Sequence, residues 1–584
     1  MKKLYPYIKP YLIFFIASIL LLIIYAGFLA AAPMVEGLIT TRLKDDVANI
    51  ANNIPGAAIS FSYILRIIKI LLGIYIGNIT CGFLSQYFLT IGIQNSMRDL
   101  RNEVQKKITR LPIGYFDKRT VGDILSIISN DVETISNALQ QSLSRILSAI
   151  LSITLAVILM FYINPTMAIM AVLILPGSAF IMRFIMKRST LMFKNQQHAL
   201  GALNGYIQER YTGLTEIKLY GKQGESIEQF KKINNNLCEN GFKSQFISGL
   251  MSPLISFLTY IAMVAVIFVG TTYVISGTIT VGQLQAFVRY MWQLNDPLGQ
   301  VTQLSSSIQS AIAASGRVFD FLEAEEEVPE IVNPRSIEDL KGNVTFENVS
   351  FGYTKDNILI ENLNVDVKNG QMVAIVGPTG AGKTTLINLL MRFYDVNSGA
   401  IKIDGINIKD MKRDKLRSIF GMVLQDTWLF NGSIADNIKY GNDDATREDI
   451  INAAKIANVN HFIKTQPDGY DMVLNEESSN VSAGEKQLLT IARAFLADPA
   501  ILILDEATSS VDTRLELMLQ TAMKNIMKGR TSFVIAHRLS TIRNADLILV
   551  MNNGTIVEQG THDELIIKKG FYEKLYMSQF QQQV

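Results

Sequence analysis

The chain has 584 residues, 49% of them hydrophobic and 18% charged, with a mean hydropathy of +0.23. That balance argues against a wholly soluble enzyme and requires a membrane part. A net charge of +2 marks no nucleic-acid partner, and the two cysteines, Cys81 and Cys238, lack metal-ligand spacing and make no disulfide framework, so both read as packing residues.

From the N-terminus, Lys2, Lys3 and Lys9 precede an uncharged apolar run from Tyr11 to Pro33. Ala30 to Ala32 resembles a signal-peptide cleavage site, but the run is too long, since h-regions take roughly 7–15 residues and a bilayer span about 20. The run therefore predicts an uncleaved first span behind a short interfacial segment, Leu4 to Tyr11. Five further spans are expected near 62–91, 143–162, 167–184, 246–276 and 281–304, the last being the least apolar. Asn164 and Pro165 leave room only for a tight turn between the third and fourth. The stretches 94–141 and 186–243 are polar and basic, which by the positive-inside rule assigns them to the cytoplasm. The stretch 34–60 reads as an outside loop. Inside the spans, Arg66, Lys69, Arg289, Trp292 and Asn295 are the residues that can read a substrate. Buried charge in lipid is costly, so Arg289 is expected to face a water-filled or protein-lined interior, with a snorkelling or interhelical role as the competing reading.

The composition shifts near Leu322 to an acidic, proline-bearing stretch that reads as a linker, 321–341. Behind it, from 342 to 584, short β-branched segments alternate with helical ones. Strands are expected at 343–346, 372–376, 501–504, 531–536 and 547–551, which argues for a buried sheet flanked by helices. The fold class is thus multi-domain: an all-α six-helix transmembrane domain over 1–320, then an α/β P-loop ATPase domain.

The P-loop is Gly377, Pro378, Thr379, Gly380, Ala381, Gly382, Lys383, Thr384 and Thr385, set between an apolar strand and a helix-forming run. Its glycines let successive N–H groups point at phosphate oxygens, and the helix beginning near Lys383 adds its positive end. Lys383 can reach the β- and γ-phosphates of ATP, and the Thr384 hydroxyl can hold Mg²⁺. A glycine-rich turn that binds nothing is the bland alternative, and strand, motif and helix in register weigh against it.

Tyr353, the P-loop, Gln425, the run Val481 to Gln487, the strand Ile501 to Glu506, Asp512 and His537 stand in the order and spacing of the ATPase of ATP-binding cassette exporters, which the chain resembles along its whole length. The membrane half is similar to their six-helix half-transporters, and the segments 111–132 and 203–223 resemble their two cytoplasmic coupling loops. The resemblance implies ATP and Mg²⁺ as cofactors and transport-coupled hydrolysis in a bacterial cytoplasmic membrane, with the ATPase domain in the cytoplasm. Within it, Asp505 binds Mg²⁺ through water, Glu506 polarises the attacking water, and Gln425 meets both Mg²⁺ and the coupling loops. His537 resembles the switch histidine at the γ-phosphate, Tyr353 the aromatic that stacks on adenine, and Asp512 the D-loop acid. Two adjacent acids at a strand end can also be a plain helix cap.

One motif departs from the pattern. The family signature, Leu-Ser-Gly-Gly-Gln, appears as Val481, Ser482, Ala483, Gly484 and Glu485, and the position just upstream that is often glycine is Ser478. Ala483 narrows the backbone approach, and Glu485 is expected to put a carboxylate near a triphosphate held on another subunit. With the P-loop, Glu506 and His537 intact, that asymmetry resembles one half of a heterodimer. A homodimer is the rival, and a non-pumping regulator or channel of the same architecture is a third reading. Soluble cassette ATPases of DNA repair are set aside because they lack spans and no basic stripe follows nucleic acid. Fusion with the membrane part first resembles exporters rather than importers, and no peptidase-like domain stands ahead of the first span. The substrate class implied is a hydrophobic or amphipathic drug, lipid or peptide.

Overall fold

In the computed structural model, residues 2–580 are described except 338–339, 355–356, 425–426, 476–479, 506–512 and 537–538. The side chains of residues 2, 295–306, 513, 539–540 and 579–580 also fall outside the description. The chain divides into two compact units, Met1–Arg110 with Thr120–Ala324, and Leu111–Arg119 with Glu325–Val584.

The first unit is all helix. Among the described residues, five segments are long and apolar enough to cross a membrane: Tyr5–Ala51, Phe61–Ile108, Val121–Ile163, Pro165–Thr212 and Gln223–Ile275. A sixth long helix, Val281–Leu322, carries the stretch that the sequence marks as least apolar. The helices overrun the expected span limits, because polar sequence with good helix propensity simply prolongs them. Most of the expected outside loop is helical, since Leu12–Ala51 is continuous and only 52–60 remain irregular. The helix survives Pro33, which has no N–H to give the carbonyl of Leu29. Gln293 Nε2 from the sixth helix donates to that oxygen at 3.4 Å, and Tyr290 Oη donates to Ala30 O at 2.7 Å. Neighbouring side chains thus satisfy the carbonyl that proline frees, as a membrane interior demands. The expected tight turn is present: Asn164 caps the helix that Pro165 begins, its Oδ1 accepting from Met167 N at 3.1 Å. Arg317 Nε donates to buried Asp131 at 2.8 Å, tying the sixth helix to the start of the third. Cys238 is exposed, not packed as expected, while Cys81 is half-buried, and both are free thiols.

The second unit holds a six-stranded sheet in the order Thr555–Gly560, Leu547–Asn552, Met372–Val376, Thr531–Ile535, Ile501–Asp505, Phe420–Val423. All neighbours are parallel except the first pair. The central strands are buried apolar runs, as a parallel sheet covered on both faces requires. Val344–Phe351, whose start was expected to join this sheet, instead pairs antiparallel with Ile360–Val367 and Ser398–Ile403 in a separate four-stranded sheet. Its alternating burial reflects one covered face, unlike the continuous runs of the central sheet. The sequence reading missed Ile360–Val367 and Ser398–Ile403, which are rich in polar residues on their open face, and also Phe420–Val423 and Thr555–Gly560, the two outer strands of the six-stranded sheet.

The acidic stretch read as a linker is docked on this unit. Buried Arg413 pairs with Glu327 at 3.6 Å, Glu330 at 3.4 Å and Asp395 at 3.6 Å, and donates to Val328 O at 2.7 Å. Arg417 joins it, 3.3 Å from Glu327. Removing the shared cation leaves Glu330 without its counter-charge, and Glu327 and Asp395 with only Arg417 and Arg392 to answer them. Arg413→Ala is therefore expected to cost about 2–3 kcal/mol, less than a fully buried pair because the acids are partly solvated. Calorimetry of the purified protein checks this, and an unchanged unfolding transition of the ATPase unit would refute it.

Candidate functional site

The parallel register decides what meets at the site. Ile535 lies opposite both Ile375 and Asp505, so the strands leading to the P-loop and to the acidic pair end along one edge of the sheet. Ligands of open α/β sheets bind outside these carboxyl ends. The P-loop turns there because Gly377 lies so close to Met551 that a Cβ would collide with its carbonyl oxygen, and because Gly382 takes a φ of 95° before the helix Lys383–Leu390. Ala381 and Gly382 are buried while Pro378, Thr379 and Gly380 form an exposed crown.

Lys383 is half-buried, and its Nζ donates to Gly377 O at 2.7 Å and Pro378 O at 3.1 Å. Burial pushes its pKa down, and the neighbouring Asp505 carboxylate works in the opposite direction. A partly desolvated ammonium bound to two neutral carbonyls gains strongly from an arriving phosphate. Thr384 is exposed at the start of the helix, and Thr385 is buried with its Oγ1 3.0 Å from Tyr353 Oη. Thr384 and Asp505 offer hard oxygen donors of the kind Mg²⁺ takes. Glu506, Asp512, His537, Gln425 and Ser478 lie outside the described residues.

Tyr353 keeps one side open while its ring meets Phe351 and Tyr394 edge-on, each at 5.1 Å. Sequence reading passed over the next step. Tyr394 Oη donates to Asp117, and Gly114 lies against the Tyr394 ring so closely that a Cβ there would force it aside. Asp117 and Gly114 belong to the segment 111–119, the first part of the expected coupling loop 111–132, and this part clusters with the ATPase unit. Burial and the Asp117 carboxylate both raise the Tyr394 pKa, keeping the phenol protonated as donor. No local signal marks this pairing, because its partners stand far apart in the chain.

The signature residues sit at the start of the helix Ala483–Leu496, with Ser482 as N-cap. Ser482 and Ala483 are exposed, and Gly484 is buried. The Glu485 carboxylate folds back on the start of its own helix. Its Oε2 accepts from Ser482 N at 2.8 Å and from Ser482 Oγ at 2.7 Å, while Glu485 N donates to Ser482 Oγ at 3.4 Å. In this reciprocal cap the helix's own unsatisfied donors take the charge. The Ser-x-x-Glu spacing was a readable signal for it. Of the membrane candidates, Arg289 lies 3.9 Å from Glu36 on the first long helix, which is the interhelical role, and Trp292 meets Tyr260 edge-on at 5.6 Å. Arg66 and Lys69 are exposed, and the side chain of Asn295 is outside the described residues.

Comparison with known proteins bears on both units. Residues 15–298 match the description "ABC transporter transmembrane region", and residues 360–509 match "ABC transporter". The chain is 42% identical over 530 residues to the "Fatty acid ABC transporter ATP-binding/permease protein" of Mycobacterium tuberculosis, covering 91% of this chain and 84% of that one. It is 36% identical over 513 residues to the "ATP-dependent lipid A-core flippase" of Syntrophus aciditrophicus, covering 87% and 84%. A solved bacterial Atm1-family ABC exporter with ATP bound superposes with a TM-score of 0.73 at 28% identity, over 98% of each chain.

The cap makes a direct test. Glu485→Ala is expected to lower stability by about 1 kcal/mol, whereas Glu485→Gln, which can close the same reciprocal cap, restores it. Denaturant titration of the two variants reads this out, and equal losses in both would mean that the charge, not the cap, matters at this position.

Proposed function

This chain belongs to the ABC transporter family, and we propose that it exports an amphipathic, lipid-like substrate across a bacterial cytoplasmic membrane as half of a dimer. It is an ABC exporter whose ATPase drives transport. The observation that carries the proposal is the alignment of Lys383 and Asp505 at one sheet edge, in a chain whose helices are long and apolar enough to cross a membrane. The relatives' printed names, a fatty acid transporter and a lipid A-core flippase, support the substrate class. So does a cavity of about 490 Å³ between the third and sixth helices, walled by Ile135, Leu139, Leu143, Ile146 and Phe319.

In this reading the loop from Gly377 to Thr385 turns its N–H groups on the phosphates, and Lys383 exchanges its two carbonyl contacts for β- and γ-oxygens. Tyr353 stacks on the adenine. Thr384, Asp505 and Gln425 would hold Mg²⁺, which would neutralise charge on the phosphate oxygens. Glu506 polarises the attacking water and His537 contacts the γ-phosphate. Ser482, Ala483, Gly484 and Glu485 cap nucleotide held by the other half, and Asp512 serves as the D-loop acid. Closure of the two ATPase domains then passes through the segments 111–132 and 203–223 to the helices, with Tyr394 and Asp117 joining nucleotide edge to coupling segment.

The partner half divides two readings. The altered signature favours a different chain that supplies a regular one over Lys383 and Glu506. The homodimer is favoured by the cap, since the Glu485 charge is engaged by Ser482 in its own helix. Purification of the chain alone separates them. The heterodimer predicts slow hydrolysis without substrate stimulation, and brisk stimulated turnover with ATP-dependent movement of amphiphile in vesicles would establish the homodimer. Assignment of the base is tested separately. Glu506→Gln is expected to keep Mg·ATP binding but cut turnover roughly a hundredfold or more, trapping a closed dimer. Undiminished turnover in that variant would remove Glu506 from the role.

A further inference from the structure

The third membrane helix carries one cation inside its apolar run. Arg145 lines a cavity of about 390 Å³ together with Leu22 and Tyr25 of the first long helix, Gly82, Ser85 and Gln86 of the second, and Ser144 and Ser148 of its own. The charge is uncompensated along the span. No Asp or Glu occurs from Leu12 to Val35, from Phe61 to Arg98, or from Thr134 to Ile163, the three helical stretches that build the cavity. Among the described residues Arg145 has no hydrogen bond or ion pair, and neither has the Gln86 carboxamide. Ser85 is different, being buried and engaged with Ser18 at 2.9 Å, so it serves the helix contact and leaves the cavity to the others.

Arg145 is exposed to the cavity, and the lining around it offers donors with no acid among them. A guanidinium fork backed by hydroxyls and a carboxamide is matched to an oxyanion, carboxylate or phosphate, which it can grip with two hydrogen bonds. Depth argues for the rest of the molecule. Arg145 lies about 27 Å along the helix from its end at Ile163, near the edge of a hydrocarbon core of about 30 Å. By the basic-residue pattern that edge is the cytoplasmic one. From there to Ile163 the same helix is apolar and serine-bearing, a surface along which an acyl chain can lie.

We propose that Arg145 is a substrate-reading residue, and that this cavity takes the oxyanion head of a single-chain amphiphile drawn from the cytoplasmic leaflet. The proposal rests on the reading of the chain as an amphiphile exporter and names the head group of its substrate. A free oxyanion offers the same head chemistry without the tail, and the test distinguishes the two.

Binding is measured on the full-length protein in nanodiscs of uncharged lipid, with radiolabelled dodecyl phosphate, dodecanoate and dodecanol, and with unlabelled inorganic phosphate as competitor. Wild type is expected to bind both anionic amphiphiles at least tenfold more tightly than dodecanol. Arg145→Gln should erase that preference, by roughly ten- to a hundredfold, and Arg145→Lys should restore part of it. Basal Mg·ATP hydrolysis should stay unchanged in both variants, which also reports that they fold. Equal binding of alcohol and anions by wild type, or anion binding untouched in Arg145→Gln, overturns the assignment. Full competition by inorganic phosphate at matched concentration overturns the amphiphile in favour of a free oxyanion. A dimer that dissociates in Arg145→Gln with amphiphile binding intact assigns the guanidinium to a subunit contact instead, and also overturns it. Charge-selective binding without ATP-dependent movement in vesicles leaves the site standing and removes the transport reading. Movement of amphiphiles that is blind to Arg145 does the reverse.

Discussion

The in-register parallel pairing of three short strands is the constraint on which the ATPase unit depends. Because Ile535 lies level with both Ile375 and Asp505, the P-loop and the acidic strand end open on the same side of the sheet. A one-residue slip would turn every side chain of the strand to the other face and carry Asp505 away from Lys383. Burial on both faces forbids that slip, since each strand is apolar along nearly its whole length. The chemistry of phosphate binding is in this sense a by-product of how the core is filled.

The same economy governs charge. Lys383 with its loop carbonyls, Glu485 with Ser482 and Arg413 with the acidic stretch each answer a polar group that burial or a helix end would leave unsatisfied. In the membrane unit the rule is stricter, because no water is available to make good a lost partner. Gln293 answers the carbonyl that Pro33 frees, and Arg317 answers Asp131. Against that background Arg145 stands out, a cation among hydroxyls with no acid on the helical stretches that line its cavity.

Two features of the fold share a cause, a partner that composition alone does not reveal. The acidic stretch after Leu322 reads as a linker on composition alone, yet from Glu325 onward it clusters with the ATPase unit because Arg413 and Arg417 wait some eighty residues downstream. The signature glutamate reads as an intruder near a triphosphate when the family pattern is the only reference. The nearest donors belong to its own helix, and three residues of separation bring them within reach.

What the amino-acid order determined by itself was everything carried by local chemistry: apolar runs long enough for a bilayer, the Asn164–Pro165 turn, the glycine-spaced phosphate loop, and the four inner strands of the buried sheet. Each depends on backbone geometry or hydrophobicity within a few neighbouring residues. Tertiary structure alone decided the pairings between distant segments: Tyr394 with Asp117, Arg289 with Glu36, Arg413 with its acids, the separate sheet that takes Val344–Phe351, and the three helices that enclose Arg145. The reason is physical. A side chain's partner is set by which surfaces the packed core brings within a hydrogen bond's length, and that distance has no counterpart along the chain.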